Sequence, residues 1–147
     1  MSKTEVEDIT IELVESISKA ITEPNQCSKF IESTMHAFEI ESNKPYVENN
    51  SNFSERFNKT MKNVISTFKE FSKTVKEVLQ NVIEKFSNQI EKLFGKSNSK
   101  RRAVAKAVIE IMANTAIQIS TFGVIDLEKI KLMCKIGKKI VEKVRSI

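Results

Sequence analysis

This sequence predicts an all-α fold: a compact bundle of five to six helices around a central apolar helix at about residues 100–122. Three observations carry the prediction. Glycine and proline are scarce, three and two in 147 residues, too few for the turns of an all-β chain. Apolar residues recur every three or four positions through most of the length. The stretch from Lys100 to Phe122, KRRAVAKAVIEIMANTAIQISTF, is apolar around most of its circumference, with one polar stripe at Lys106, Glu110, Asn114 and Gln118. A helix of that kind belongs inside, with others packed around it. A length of 147 residues and a hydrophobic fraction of 40% suit a single domain over 1–147 with a core of its own.

The first helix is expected to start near Ser2 or Thr4, since Ser2 and Glu5 have capping-box spacing. Val6, Ile9, Leu13, Val14, Ile17 and Ile21 make its apolar face; Glu7, Asp8, Glu12 and Glu15 make the opposite one. Thr22-Glu23-Pro24-Asn25 interrupts it, and Pro24 suits the first turn of a second helix. There Cys27, Phe30, Ile31, Thr34, Ala37 and Phe38 form an apolar stripe that fades near Ile40. Residues 41–52, ESNKPYVENNSN, read as a flexible linker of polar turn formers, with Pro45 disfavouring helix at Lys44.

Phe53 to Phe94 carries one long pattern through Phe57, Met61, Val64, Phe68, Phe71, Val75, Val78 and Val82. As one straight helix it would be about 60 Å long, against a diameter of about 40 Å for a compact domain of this size. The mismatch favours a break within 66–74, where Thr67/Glu70 and Thr74/Glu77 offer capping-box spacings. The alternative is a protruding helix that dimerises as a coiled coil. Gly95 terminates the pattern, Ser99 is the expected N-cap of the central helix, and Gly123 bounds that helix at its far end. Asp126 is the expected N-cap of a last helix, with Ile125 and Ile130 at hydrophobic-staple spacing. That helix has an apolar side (Leu127, Ile130, Met133, Cys134, Ile140, Val141, Val144) and a basic one (Lys129, Lys131, Lys135, Lys138, Lys139, Lys143, Arg145).

Charge is graded along the chain. Residues 1–41 carry −6, residues 42–94 carry +3 and residues 95–147 carry +8, within a net +5. Either the acidic first helix docks on the basic end, or the basic end meets an anionic partner. The N-terminal MSKTEVED has no apolar core of a secretory signal, so Cys27 and Cys134 are read as reduced thiols of an intracellular, cytoplasmic protein. No run reaches the roughly 18 uncharged residues of a membrane span.

Catalysis finds little support. His36 is the single histidine, and both aspartates, Asp8 and Asp126, sit where helices start. His36 and Cys27 lie nine residues apart on one helix, and no zinc spacing or Gly-rich phosphate loop occurs. The chain is therefore read as no enzyme, with no cofactor and no metal. Glu110 is read as the i,i+4 partner of Lys106 or as part of the solvated polar stripe.

Two groups remain as candidate sites. Lys100, Arg101 and Arg102 open the central helix, where the positive end of the helix dipole disfavours each cation by about 0.3–1 kcal/mol. Something negative is expected beside them: the acidic face of the first helix, or an external anion. Phe57, Met61, Val64 and Phe68 have the four-three-four spacing by which a helix places four anchors against a partner.

An apolar central helix, then Gly123, then an amphipathic hairpin partner is a layout that resembles the Bcl-2-like bundle. In that family, amphipathic helices wrap a hydrophobic one and leave a peptide groove. Where its Asn-Trp-Gly-Arg type motif would fall, this chain has Ser97-Asn98-Ser99-Lys100-Arg101; where its Leu-x-x-x-Gly-Asp signature would fall, it has Ile65 and Ser66. The functional expectation is a non-enzymatic binding or regulatory protein. Its partner would be a protein's amphipathic helix, or a second copy in a homodimer. A helical protein acting at an anionic membrane through its central and basic C-terminal helices is the alternative, and nucleic-acid binding through the basic C-terminal third is the weaker one.

Overall fold

In the computed structural model, the structure describes residues 3–48, 52–126, 128–130 and 132. All regular structure among them is helical: α1 (Lys3–Ala20), α2 (Pro24–Ser42), α3 (Phe53–Thr67), α4 (Lys73–Phe94) and α5 (Asn98–Phe122). A further turn begins after α5. Asp126 caps it, its Oδ1 accepting from the Lys129 N–H at 3.1 Å and its carbonyl from the Ile130 N–H at 3.1 Å. Ile125 and Ile130 meet in one small cluster with Ile11 and Ile111, so the staple forms as its spacing requires. The rest of the expected last helix, and the Ser2 cap of the first, lie outside the described residues.

The starts of α2 to α5 are each made by a side chain that satisfies first-turn amides. Glu23 does so for α2, its carboxylate accepting from Asn25 and Gln26 at 3.1 and 2.8 Å, with Pro24 following as the first helical residue. Asn52 caps α3 through the Glu55 N–H at 2.9 Å. Ser97 caps α5, accepting from the Lys100 N–H at 3.3 Å. The expected cap, Ser99, is instead inside the helix; with a serine at both positions, composition could not choose between them.

The long pattern over 53–94 is two helices. Phe68 leaves helical backbone (φ −87°, ψ 82°), and Ser72 opens α4, its Oγ accepting from the Val75 N–H at 3.2 Å. The break lies within 66–74, but the capping residue is Ser72 and not Thr67 or Thr74. Thr67 is engaged with the Val64 carbonyl at 2.6 Å. The turn is fastened from inside: the rings of Phe68 and Phe71 stack at 4.8 Å, and both meet Phe30 of α2 edge-on at 5.5 and 6.0 Å. The two helices then run antiparallel. Ser54 N–H reaches Glu91 at 3.3 Å, and Ser87 Oγ reaches Asn58 at 3.0 Å.

Phe38 is the hub of the core. Fully buried on α2, it meets Phe53 and Phe57 of α3 and Phe86 and Phe94 of α4, at centroid distances of 5.4 to 6.2 Å. α5 packs on α2, α1 and α4 with Val104, Val108, Ile111, Met112 and Ile119 buried. Ala105 and Ala116 keep its backbone near its neighbours, and Ser28 of α2 donates to the Ala116 carbonyl at 3.1 Å. The central apolar helix is thus walled in over most of its length. Its polar stripe is exposed at Lys106 and Glu110 and becomes covered at Gln118, whose Oε1 accepts from the Asp126 N–H at 3.0 Å.

The linker is shorter than the sequence suggests. Glu41 and Ser42 belong to α2, and both are buried. The Glu41 carboxylate is held by Lys44, three residues on, at 3.1 Å and by Arg56 of α3 at 3.0 Å, the second a pairing that the local sequence does not reveal. Gly123 ends α5 in left-handed backbone (φ 78°), its N–H bonding the Ile119 carbonyl at 2.8 Å, a conformation that strains any residue with a Cβ.

Candidate functional site

The three cations at the start of α5 have different fates. Lys100 and Arg102 are exposed, while Arg101 is 3% exposed. Its guanidinium lies over the Phe94 ring at 4.9 Å and near the Tyr46 ring at 5.9 Å. Its Nε has no hydrogen-bond partner, and no described carboxylate lies within ion-pair distance of it. Arg101 and Arg102 line a cleft of about 200 Å³ together with Asn98 and the end of α2 and its following loop, Ser42 to Pro45. The loop is hung on α5 by the Tyr46 N–H, which donates to Asn98 Oδ1 at 3.3 Å.

The acidic face of α1 is not what offsets these cations. Glu12 pairs instead with Lys85 of α4 at 2.7 Å. What abuts them is the carboxyl end of α2, which carries about half a negative charge. That end roughly cancels the positive amino end of α5 and leaves Arg101 and Arg102 as surplus. Lys44, on the other wall, is already paired with Glu41.

The four anchors expected to meet a partner are turned inward. Phe57 and Met61 are fully buried, and Val64 and Phe68 are half-buried against the same core. A groove of about 440 Å³ does run between α3 and α4, but its apolar floor of Met61, Ile65 and Ile83 is closed to solvent and its rim is polar. These four residues therefore hold α3 in the bundle; their spacing is that of any core-facing helix.

The exposed apolar surface lies elsewhere, at the far end of α5. Ile117 is 60% exposed, Phe122 64% and Val124 65%, and Leu132 beyond them is also exposed. Of the nine phenylalanines, Phe122 alone stands outside the core, with the Lys129 ammonium 5.2 Å above its ring. In the sequence both Ile117 and Phe122 are simply members of a stretch that is apolar around most of its circumference, and nothing local distinguishes an uncovered isoleucine from a covered one.

The remaining candidates separate. Cys27 is buried, and burial together with the nearby Glu23 carboxylate pushes its thiol from 9.0 up to about 11, the wrong direction for a nucleophile. His36 is exposed on α2 nine positions away, so the two do not meet. Glu110 is exposed beside Lys106. No group of three or more metal-ligating side chains comes together among the described residues. Nor is any described helix long and apolar enough to cross a membrane.

With that geometry in hand, comparison adds no relative: no protein-family model, curated protein or solved structure matches the chain.

Proposed function

We propose that this chain is a non-enzymatic, intracellular binding protein of regulatory type that engages an amphipathic helix of a protein partner. The observation that carries the reading is the uncovered apolar end of α5: Ile117, Phe122 and Val124, with Leu132 beyond them. A bundle that packs its other eight phenylalanine rings into or against the core leaves this one exposed, with the polar Ser120 and Thr121 before it and Lys129 over its ring. Large apolar side chains left exposed near one end of a helix are candidates for contact, and the protonated, buried Cys27 thiol supports a non-catalytic role.

The test is titration of the full chain with labelled amphipathic helical peptides, with sedimentation velocity alongside. Binding, or self-association, at micromolar concentration that is lost in Phe122→Asp and Ile117→Asp supports the reading. Absence of both at micromolar concentration sinks it.

A second reading takes the same surface as a membrane-surface anchor. The Lys129 ammonium over the Phe122 ring is the pairing of cation and apolar group that suits a lipid headgroup boundary. Flotation with anionic vesicles, absent with neutral ones, would favour it over the protein partner.

A further inference from the structure

We propose that the cleft at the amino end of α5 is a binding site for a phosphate group, either the free ion or a small phosphate monoester. It is independent of the contact surface at the other end of the helix. Arg101 carries the argument. An arginine this deeply buried is ordinarily paired, because a buried donor without an acceptor loses its hydration with nothing in return, and a charged one loses more. Here its flat face rests on Phe94, which restrains the guanidinium plane, while Nε in its edge is left without an acceptor. The terminal nitrogens are not among its buried, unpartnered atoms, and a guanidinium that lines a cleft is the group that grips phosphate oxygens there.

The surroundings suit a dianion. Arg102 lines the same cleft and is exposed, so its charge is available. In the first turn of α5, Ser97 Oγ takes the Lys100 N–H and the Ser97 carbonyl takes the Arg101 N–H. The Asn98 and Ser99 amides precede them and have no intrahelical acceptor, which makes them donors to an anion at the helix start. The helix-end dipoles of α2 and α5 oppose each other here, and the Glu41 carboxylate is shared between Lys44 and Arg56. Arg101 and Arg102 add two positive charges to the cleft, and Lys96 stands 6.0 Å from the Tyr46 ring beside it, an excess that suits a phosphate dianion better than a single carboxylate. A cleft of about 200 Å³ admits a phosphate with a few further atoms, not a nucleotide.

Tyr46 supplies the readout. It is the only tyrosine, there is no tryptophan, and its ring is 5.9 Å from the Arg101 guanidinium carbon. Titrating the full chain with inorganic phosphate at constant ionic strength should give a saturable change in tyrosine fluorescence that chloride does not produce. Glycerol phosphate in a parallel arm separates the sources: tighter binding of the monoester assigns a phosphorylated small molecule, and tighter binding of the ion assigns free phosphate. Arg102→Gln, at an exposed position where folding is unaffected, should weaken binding about tenfold or more, the loss of one charge-assisted contact. Arg101→Met, checked by circular dichroism, should abolish it. The proposal is overturned if phosphate and chloride act alike up to about tenfold above millimolar, if acetate binds as tightly as phosphate, or if Arg102→Gln leaves the affinity unchanged.

Discussion

Burial of a thiol has a pH signature. Cys27 titrates near 11 in the folded chain against 9.0 ordinarily, through burial first and the Glu23 carboxylate second. Between those values the folded state holds a proton that the unfolded state releases, so stability falls as pH rises. The contribution is fully present below about pH 9 and is lost through about pH 11. In a Cys134→Ser background, the denaturant midpoint should decline over that range, and Cys27→Ala should flatten the decline. Phe38 offers a larger effect. Its ring touches four others and is fully buried, so Phe38→Ala should cost about 3–5 kcal/mol by urea unfolding, from lost burial plus the cavity left behind. Both residues were legible as members of the second apolar stripe; that Phe38 is the hub was not, because its four partners come from two other helices.

Among the helices, the break between α3 and α4 shows how far local signals reach. Length alone argues that 53–94 cannot be one straight helix in a compact domain, and the break falls inside the expected window. The capping residue is another matter. Ser, Thr and Asp all cap well, several stand close together here, and the choice belongs to whichever position lets Phe68 and Phe71 reach Phe30. Ser72→Ala should therefore cost about 1 kcal/mol, while Thr74→Ala should stay within about 0.5 kcal/mol. Equal effects would mean that the helix starts elsewhere. The apolar stripe Phe57, Met61, Val64 and Phe68 makes a related point: its spacing establishes that α3 has an apolar side but is silent on whether that side faces the molecule's own core or a partner's.

For the molecule as a whole, one consequence of the charge gradient can be weighed among the described residues. The acidic first helix packs on α4 and α5, and the ion pair of its Glu12 with Lys85 of α4 has both side chains more than half exposed. Such pairs are worth at most about 1 kcal/mol and are screened by salt. Lys85→Gln should thus change stability by less than about 1 kcal/mol, with the difference shrinking in about 0.5 M salt, as followed by thermal unfolding. The long-range pairing that does organise the fold joins Glu41 to Arg56 across the loop between α2 and α3, and it is well buried on the carboxylate side.

From its residues alone, the chain settled that it is helical, roughly where each helix turns inward, that much of 100–122 packs against other helices, and that Gly95, Gly123 and Asp126 punctuate it. These are local matters of periodicity, capping and backbone freedom. Tertiary structure alone decided that Arg101 is buried while Lys100 and Arg102 are not, and that Ile117 and Phe122 remain uncovered. It also decided that Glu41 stays in α2 and that α3 keeps its anchors for its own core. Each of these depends on which distant side chains arrive beside a residue, and no spacing along one helix carries that information.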